Sequence, residues 1–537
     1  MALPDPDKVI QELNRRFAAP LPEFYNRRII FWYDEDRDFE EKIQSGEIEL
    51  ANAKLITLDD TNNFEVKKLL THDDKSSNFC VYCPVSYPDE KNWLLPVELI
   101  SEEFRADLVS MWLEEMDIPN TANLRKTVKD YRSFFKTKAH RTKVANLNQK
   151  ITAPVQLHKA VMAVLCGVKD TGPNLLIRTV LRAGTDQEQN GIYQSFVKFG
   201  ADSVFWQMVA QVTGYREESS DLGRLSCHIL MTAVTRTLRM DNLVGLDSFI
   251  SIPHQSYCYD FMSDWIHSDE TRELYDIARN VEDELRLPAR FSQIPLEELT
   301  ATEIFPCIDE CILKKIMTDI IDQTINVDVI IDTVEKRRTM LWYAWVQNFY
   351  AGVLEVAHMQ KFYLDHSAGF HTVEPHKVWK EYTSDYYQMD TYYRLFHVAF
   401  GKSLNSSNPL LDDLFKHVAD VVEGLYANWF LGNLGTNWAT AAADNLKDYG
   451  RIMEVPQQKD FYRNRVKNAD TRVFVLISDA MRYEVAVTLA NELRQETQAN
   501  VKMESCEGIF PTVTKFGMAA LLPHNDLTAE LRPNGVI

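Results

Sequence analysis

The chain changes its hydrophobic period twice, and this change constrains its fold more than any other feature. Short apolar runs alternate with helical stretches up to about residue 120, nearly continuous helical periodicity follows to about residue 465, and short apolar runs then return. Short runs bounded by polar turn residues are typical of strands, and long periodic stretches are typical of amphipathic helices. With 537 residues, the chain also exceeds what one hydrophobic core usually organises. We therefore predict a multidomain protein of mixed α/β and all-α class.

The first predicted domain, residues 1–120, reads as an α/β unit with a small parallel sheet. Three apolar runs, 28–33, 55–58 and 79–83, alternate with helical stretches, as expected of parallel strands joined by helices. Residues 98–116 are predicted to form one long amphipathic helix. The acidic residues that follow the first two runs could be turn formers and caps, or part of a magnesium site; they are Asp34, Asp36, Asp59 and Asp60.

The second predicted region, residues 121–465, is a large helical domain or two, and it begins with a concentration of basic residues. Nine cations lie between Arg125 and Lys150, with Asp130 as the only acid. The whole chain has a formal net charge of -20, so contact with nucleic acid would need a local basic patch. One interpretation is a docking surface for nucleic acid or an acidic partner, with these candidates: Arg132, Lys136, Lys138, Arg141 and Lys143. The other is a solvated helix with its aromatic residues facing the core.

The third predicted domain, residues 466–537, begins with the apolar run 473–477, which is predicted to be a strand buried on both faces. Asp479 follows this run, a second strand is predicted near 500–504, and Thr514 precedes a helix predicted over 515–522. Ligands gather at the carboxyl ends of parallel strands, and phosphates bind helix N-termini. A metal-binding Asp479 beside a nucleophilic Thr514 would fit that arrangement. Spacing alone is equally consistent with a turn residue and a helix cap.

Two stretches of this domain resemble the PglZ family of bacterial phage-defence proteins. They are residues 473–485, VFVLISDAMRYEV, and 509–523, IFPTVTKFGMAALLP. Earlier stretches, residues 27–41 and 78–100, are also similar to that family. The resemblance implies the start of an alkaline-phosphatase-like domain, in which Asp479 binds a metal and Thr514, bound to the same metal, attacks phosphorus. It also implies that residues 466–537 are only the first part of that domain.

The resemblance further implies what a full-length protein would do. We expect a metal-dependent phosphodiesterase or nuclease that uses two zinc ions, whereas this chain, without the later ligands, is expected to be inactive and to hold no bound metal. Arg482 is a candidate to contact phosphate, because Gly517 stands where such phosphodiesterases usually carry Asn. Expected partners are other subunits of the defence system, including a DNA methyltransferase, with DNA as a further candidate. The alternative is a non-catalytic scaffold of the same complex.

The sequence also excludes some classes of protein. No window approaches the roughly 18 uninterrupted apolar residues that a membrane span needs, and the N-terminus has no secretory signal pattern. The eight cysteines are scattered, which is typical of reduced thiols. We therefore expect a cytoplasmic protein that does not contact membranes.

Overall fold

The computed structural model describes residues 6–528 apart from 22, 24, 86, 88, 106, 148 and 405–407, together with residues 530 and 533. The chain divides into two units, Met1–Ile229 and Leu230–Ile537. This division does not test the predicted boundaries at residues 120 and 465, which stay predictions. No helix in the described ranges is long and apolar enough to cross a membrane.

The first unit contains a four-stranded parallel sheet with strand order β2-β3-β1-β4. Its strands are β1 (Ile29–Tyr33), β2 (Lys54–Thr57), β3 (Phe79–Cys83) and β4 (Glu102–Arg105). β3 pairs with β1 and β2 along its two edges, and all five of its residues are buried. The predicted parallel sheet is confirmed, and the three predicted runs match β1, β2 and β3 to within one residue at each end.

The predicted single helix over residues 98–116 is wrong. The structure has a short helix α4 (Leu95–Glu98), then β4, then helix α5 (Leu108–Glu115). β4 pairs with the free edge of β1, where Phe104 lies opposite Trp32 and is buried. Asp107 ends the strand segment and caps α5 by accepting a hydrogen bond from the Ser110 backbone N–H at 2.9 Å. Tertiary pairing with β1 therefore outweighs the helical periodicity of this stretch.

The remaining helices of the first unit precede β1, connect the strands, or follow β4 along the chain. They are α1 (Pro6–Ala18), α2 (Glu40–Gln44), α3 (Asn63–Lys68), α6 (Ala122–Asp130), α7 (Arg132–Phe135), α8 (Lys138–Ala145), α9 (Pro154–Cys166), α10 (Pro173–Arg182), α11 (Gly191–Phe199) and α12 (Asp202–Thr213), with α13 (Leu222–Val234) running across the boundary between the units. The predicted change to helical structure after residue 120 is thus confirmed.

The second unit is also mainly helical. Its helices are α14 (Gln255–Ile266), α15 (Thr271–Leu285), α16 (Leu287–Phe291), α17 (Leu296–Thr300), α18 (Pro306–Ile321), α19 (Val327–Arg337), α20 (Tyr343–Asp365), α21 (Pro375–Glu381), α22 (Tyr387–Ser403), α23 (Pro409–Glu423), α24 (Gly432–Tyr449), α25 (Tyr483–Glu496) and α26 (Thr514–Leu521). Two π-helical segments interrupt the helical run from α21 to α24: Tyr382–Tyr386 joins α21 to α22, and Gly424–Leu431 joins α23 to α24. A third, Tyr462–Lys467, follows α24.

The strands predicted at 473–477 and 500–504 are not present. Both stretches are irregular, and the run 473–477 is exposed rather than buried, with Leu476 97% and Phe474 76% exposed. A strand needs a neighbour that takes up its backbone N–H and C=O groups. In the described part of this unit, one isolated parallel bridge, between Gln457 and Glu507, is the only such pairing. The helix predicted over 515–522 is confirmed as α26, and α25 follows the run 473–477.

Candidate active site

The structure brings Asp479 and Thr514 together, although they lie far apart in the sequence. The Thr514 hydroxyl donates a hydrogen bond to the Asp479 carboxylate, with Oγ1 3.2 Å from Oδ2 and 3.4 Å from Oδ1. Both side chains are exposed to solvent. A carboxylate and a hydroxyl on an accessible surface are oxygen donors that a ligand or a divalent ion can reach.

Local backbone structure presents both side chains. Asp479 precedes Ala480, which has a left-handed φ of 57°, and the Ala480 backbone N–H donates to Asp479 Oδ1 at 3.0 Å. Thr514 is the first residue of α26 and directly follows Val513, which caps that helix in an extended conformation. The predicted location of Thr514 at a helix N-terminus is therefore confirmed. Such a terminus offers unpaired N–H groups and a favourable dipole to an anion.

The segment before Thr514 is held by the turn around Gln458. The Gln458 backbone N–H donates to the Glu507 carbonyl at 2.9 Å, and its side-chain oxygen accepts from the Ile509 N–H at 3.2 Å. The buried Glu507 carboxylate accepts a hydrogen bond from the Ile452 N–H at 3.0 Å. A Cβ added at Gly517 would lie 3.4 Å from Gln458 Nε2. Gln458 Nε2 also donates to the Gly517 carbonyl at 3.4 Å, so this side chain contacts residues on both sides of Thr514.

Arg482 is directed towards the helices of its own unit. Its Nη2 donates to Asp390 Oδ1 at 3.1 Å and to the Tyr426 hydroxyl at 3.1 Å. Its predicted contact with phosphate stays a prediction. Sequence reasoning missed Asp390 and Tyr426 as its partners, because a single sequence has no signal that joins positions 92 and 56 residues apart.

The donor set fits one side of a divalent-metal site but does not complete it. A carboxylate and a hydroxyl are oxygen donors of the kind that such ions accept, and zinc usually takes four ligands. Among the residues that the structure describes, no group of three or more His, Cys, Asp or Glu side chains is placed to hold a metal ion. Asp479 and Thr514 are thus the donors that this part of the chain supplies.

A polar pocket of about 360 Å³ lies close to this segment in sequence but does not contain the pair. Its lining includes Gln458, Lys459, Arg463, Phe510 and His524, and neither Asp479 nor Thr514 is among the lining residues. The cations are accompanied by acidic neighbours, and Arg463 already pairs with Asp460 at 2.8 Å. We therefore base the site on the Asp479–Thr514 contact and not on the pocket.

The structure divides the predicted docking residues into two groups. Arg132 forms an ion pair with the buried side chain of Asp38, and Arg141 is itself buried and pairs with Glu115 at 2.7 Å. The aromatic residues of the segment are also buried, which confirms that they face the core; they are Tyr131, Phe134 and Phe135. Arg132 and Arg141 thus form ion pairs within the first unit.

Three of the predicted docking residues remain accessible. Lys136, Lys138 and Lys143 are exposed, and no ion pair joins them to another described residue. They lie within or next to α7 and α8, on the surface of the first unit. Any docking of an anion by this segment would therefore depend on these lysines.

The acidic residues at the first strand ends act as caps and partners rather than as a cation site. Asp34 is buried and accepts hydrogen bonds from the Phe39 N–H at 2.9 Å and from the Tyr82 hydroxyl at 2.7 Å. Burial raises the pKa of Asp34. Asp36 pairs with Lys129, and Asp59 accepts from the backbone N–H groups that follow it. Asp60 accepts a hydrogen bond from the Tyr87 hydroxyl at 2.8 Å. The turn-and-cap interpretation therefore describes Asp34 and Asp59, whereas Asp36 and Asp60 bond to other side chains.

Comparison with known proteins gives a consistent result. A family described as "BREX system PglZ alkaline phosphatase-like domain" matches residues 459–534. An "Alkaline phosphatase-like protein PglZ" of Bacillus cereus (strain H3081.97) is 29% identical over 532 residues, which cover 96% of this chain and 60% of that protein. An "Alkaline phosphatase-like protein BrxZ" of Escherichia coli O9:H4 (strain HS) is 28% identical over 536 residues, covering 96% and 61%. The chain thus spans about 60% of the length of these relatives. No solved structure matches it.

Proposed function

Because this chain belongs to the PglZ/BrxZ family of alkaline phosphatase-like proteins, we propose that it serves a BREX phage-defence system as part of a metal-dependent phosphoester hydrolase. The observation that supports this proposal is the contact between Asp479 and Thr514, at 3.2 Å. A threonine hydroxyl and a carboxylate are the groups that a nucleophilic phosphoester hydrolase needs at its reacting centre.

In the proposed reaction, Thr514 Oγ1 gives up its proton to water and forms a bond to phosphorus. The bond between phosphorus and the ester oxygen breaks, and the released oxygen takes up a proton from water. Asp479 orients the hydroxyl by accepting its hydrogen bond, and the N-terminus of α26 faces the charge that builds up on the phosphoryl oxygens. Water then hydrolyses the phosphothreonine and restores the hydroxyl. We favour phosphodiesters, including DNA, as substrates, because the resemblance of residues 509–514 is to diester hydrolases.

The proposed cofactor is a divalent metal, with two zinc ions in a protein of the relatives' length. Asp479 and Thr514 are the residues of this chain that would hold it. Such an ion, when bound, lowers the pKa of a hydroxyl and makes it a better nucleophile. Since two donors do not complete a zinc site, the remaining ligands would have to come from outside the described residues, and we propose that this chain alone does not turn over substrate.

The proposed partners are other BREX subunits, including a DNA methyltransferase, and DNA itself. We assign contact with DNA to Lys136, Lys138 and Lys143, which are exposed on a chain that is otherwise strongly acidic. Local lysines can neutralise phosphates even where the net charge of a protein is unfavourable.

A non-catalytic scaffold is the second candidate function. The observation that favours it is that most of the chain, from α6 to α24, is helical and carries neither Asp479 nor Thr514. In that case the alkaline phosphatase-like segment would be retained for its shape and the helical region would bind the other subunits.

The test compares variants in a protein of the relatives' full length, with added zinc, on bis-p-nitrophenyl phosphate and on DNA. Thr514→Ala should lower kcat by about a thousandfold or more, because it removes the nucleophile. Thr514→Ser should retain measurable turnover, and Asp479→Ala should be inactive. Thr512→Ala is the matched control, since Thr512 is an exposed threonine of the same segment.

Two outcomes would contradict the proposal. Turnover by Thr514→Ala at the rate of the control would exclude the nucleophile role. Absence of hydrolysis by the wild-type protein with zinc and with manganese would favour the scaffold.

A further inference from the structure

Asp390 is a buried carboxylate at the centre of a polar cluster between α22 and the start of α25. It is 4% exposed and accepts hydrogen bonds from the Tyr382 hydroxyl at 2.7 Å, the Tyr426 hydroxyl at 2.6 Å and Arg482 Nη2 at 3.1 Å. Burial and the bond to Asp390 raise the pKa of Tyr382 and that of Tyr426, so both hydroxyls remain protonated donors. A buried carboxylate is stable only where such donors and a cation compensate it.

The two π-helical segments bring both tyrosines to this carboxylate. Tyr382 begins the segment Tyr382–Tyr386 and lies eight residues before Asp390, whereas Tyr426 lies in the segment Gly424–Leu431. In an uninterrupted α-helix, residues eight apart differ by about 80° in direction. The wider π-helical turn takes up an additional residue and reduces this difference. Such turns occur often at functional sites, and here two of them converge on one acid.

The residues after Arg482 are held in the same place. The Tyr483 hydroxyl donates to the Thr383 carbonyl at 3.0 Å. Glu484 is 1% exposed and forms ion pairs with Arg482 Nε at 3.1 Å and with Arg394 Nε at 3.7 Å. Three consecutive residues at the start of α25 are thus bound to α22 and the π-helical segment before it.

Asp479 lies three residues before Arg482. Three residues span at most about 11 Å of extended chain, so a fixed Arg482 limits where the Asp479 carboxylate can lie. The turn that contains Ala480 has few other restraints, since residues 473–481 are exposed and irregular. The cluster around Asp390 is therefore the nearest firm attachment of the segment that carries Asp479.

We propose that Asp390, with Tyr382 and Tyr426, forms a clamp on Arg482 that positions Asp479 opposite Thr514. Asp390 is on this view a positioning residue, which acts on the site through Arg482 and does not contact substrate. An effect of the clamp on hydrolysis rests on the proposed function of Asp479. The contacts of the clamp with Arg482 do not depend on that function. The position of the Asp479 carboxylate therefore depends on contacts with the helices of the same unit.

The test uses hydrogen–deuterium exchange on this chain for Asp390→Asn, Arg482→Gln and the double variant. We expect amide exchange in peptides covering residues 484–492 to rise about tenfold in each single variant. The double variant should exchange no faster than either single variant, because both changes break the same contact. Arg482→Lys should restore part of the protection, since it keeps a cation beside Asp390.

The matched control is Asp413→Asn, which neutralises an exposed aspartate of α23 and should leave exchange in residues 484–492 unchanged. If Asp390→Asn does not fold, Tyr426→Phe and Tyr382→Phe remove one hydroxyl each and test the same clamp. Exchange at the wild-type rate in the single variants, or rate increases that multiply in the double variant, would overturn the proposal.

A hydrolysis assay separates this proposal from the proposed function. In a protein of the relatives' length that turns over substrate, Asp390→Asn should lower kcat with little change in KM. Suppose that the single variants raise amide exchange, that the double variant raises it no further, and that the wild type hydrolyses no substrate. This result would support the clamp and contradict the hydrolase. Hydrolysis that Asp390→Asn leaves unchanged would contradict the positioning role and leave the hydrolase in place.

Discussion

Reversing the charges of Lys136 and Lys138 tests the proposed contact with DNA, and the structure sets the size of the effect. Of the five predicted docking residues, Arg132 and Arg141 are already neutralised by Asp38 and Glu115. Three lysines therefore remain to contact phosphates. Each phosphate contact adds about 0.9 to the slope of log affinity against log salt, so the contribution of these three lysines to the wild-type slope should be about -2.7.

The expected change is large enough to measure by fluorescence anisotropy with a mixed-sequence DNA duplex. Between about 50 and 200 mM salt, a slope of about -2.7 lowers affinity about fortyfold, whereas Lys143 alone would lower it about three- to fourfold. The variant Lys136→Glu with Lys138→Glu should thus bind weakly at low salt and lose most of its salt dependence.

A control of equal charge change separates local contact from general repulsion. Lys75→Glu with Lys169→Glu alters two exposed lysines of the first unit outside the basic segment, and it changes the net charge by the same amount. This control should keep a slope near that of the wild type. An unchanged slope in the Lys136 and Lys138 variant, or an equal loss in the control, would refute the assignment of these lysines to DNA.

Two further predictions concern buried charges in the second unit. Arg337 and Asp309 are fully buried and form a bidentate pair at 2.8 and 2.7 Å, so Arg337→Met should destabilise the fold by about 3–5 kcal/mol in urea unfolding, and Arg337→Met with Asp309→Leu by clearly less. Burial raises the pKa of Glu282 from 4.5 to about 7, so the folded state binds this proton more tightly than the unfolded state does. The free energy of unfolding should therefore fall by up to about 3 kcal/mol as the pH rises from about 4.5 to 7. Glu282→Gln should remove this fall, measured by unfolding over that pH range.

The sequence predicted the first unit well where local pattern and tertiary structure agree. The runs that became β1 and β3 are continuous apolar stretches, and the sheet buries both. β4 was missed because it is half-exposed, with only Phe104 of its four residues buried. Such a strand is defined by its pairing with β1 and not by its own composition, and its flanking residues continue a helical period. Edge strands of this kind are the elements that single-sequence reasoning detects least.

The run 473–477 shows the opposite error. Its five apolar residues satisfy the criteria for a buried strand, yet all of them are at least 40% exposed. Burial depends on whether other segments cover the run, and within residues 459–528 the structure describes no strand that pairs with it. The curated relatives are longer than this chain, which covers about 60% of them. Whether an apolar run such as 473–477 forms a buried strand therefore depends on segments elsewhere in the fold, and not on the residues of the run alone.

The candidate site was identified from the family resemblance and from contacts in the structure. The family resemblance selected Asp479 and Thr514, and the structure supplies the contact between them at 3.2 Å. Arg482 was selected for its charge and its location beside Asp479, but its partners, Asp390 and Tyr426, come from the region 121–465, for which the sequence predicted only helices. Tyr426 lies in a π-helical segment, and Asp390 lies in α22 directly after another. Helical periodicity does not indicate such segments. Residues that position a site through such turns must therefore be found from contacts, and perturbing Asp390 tests that inference without requiring that the chain hydrolyse any substrate.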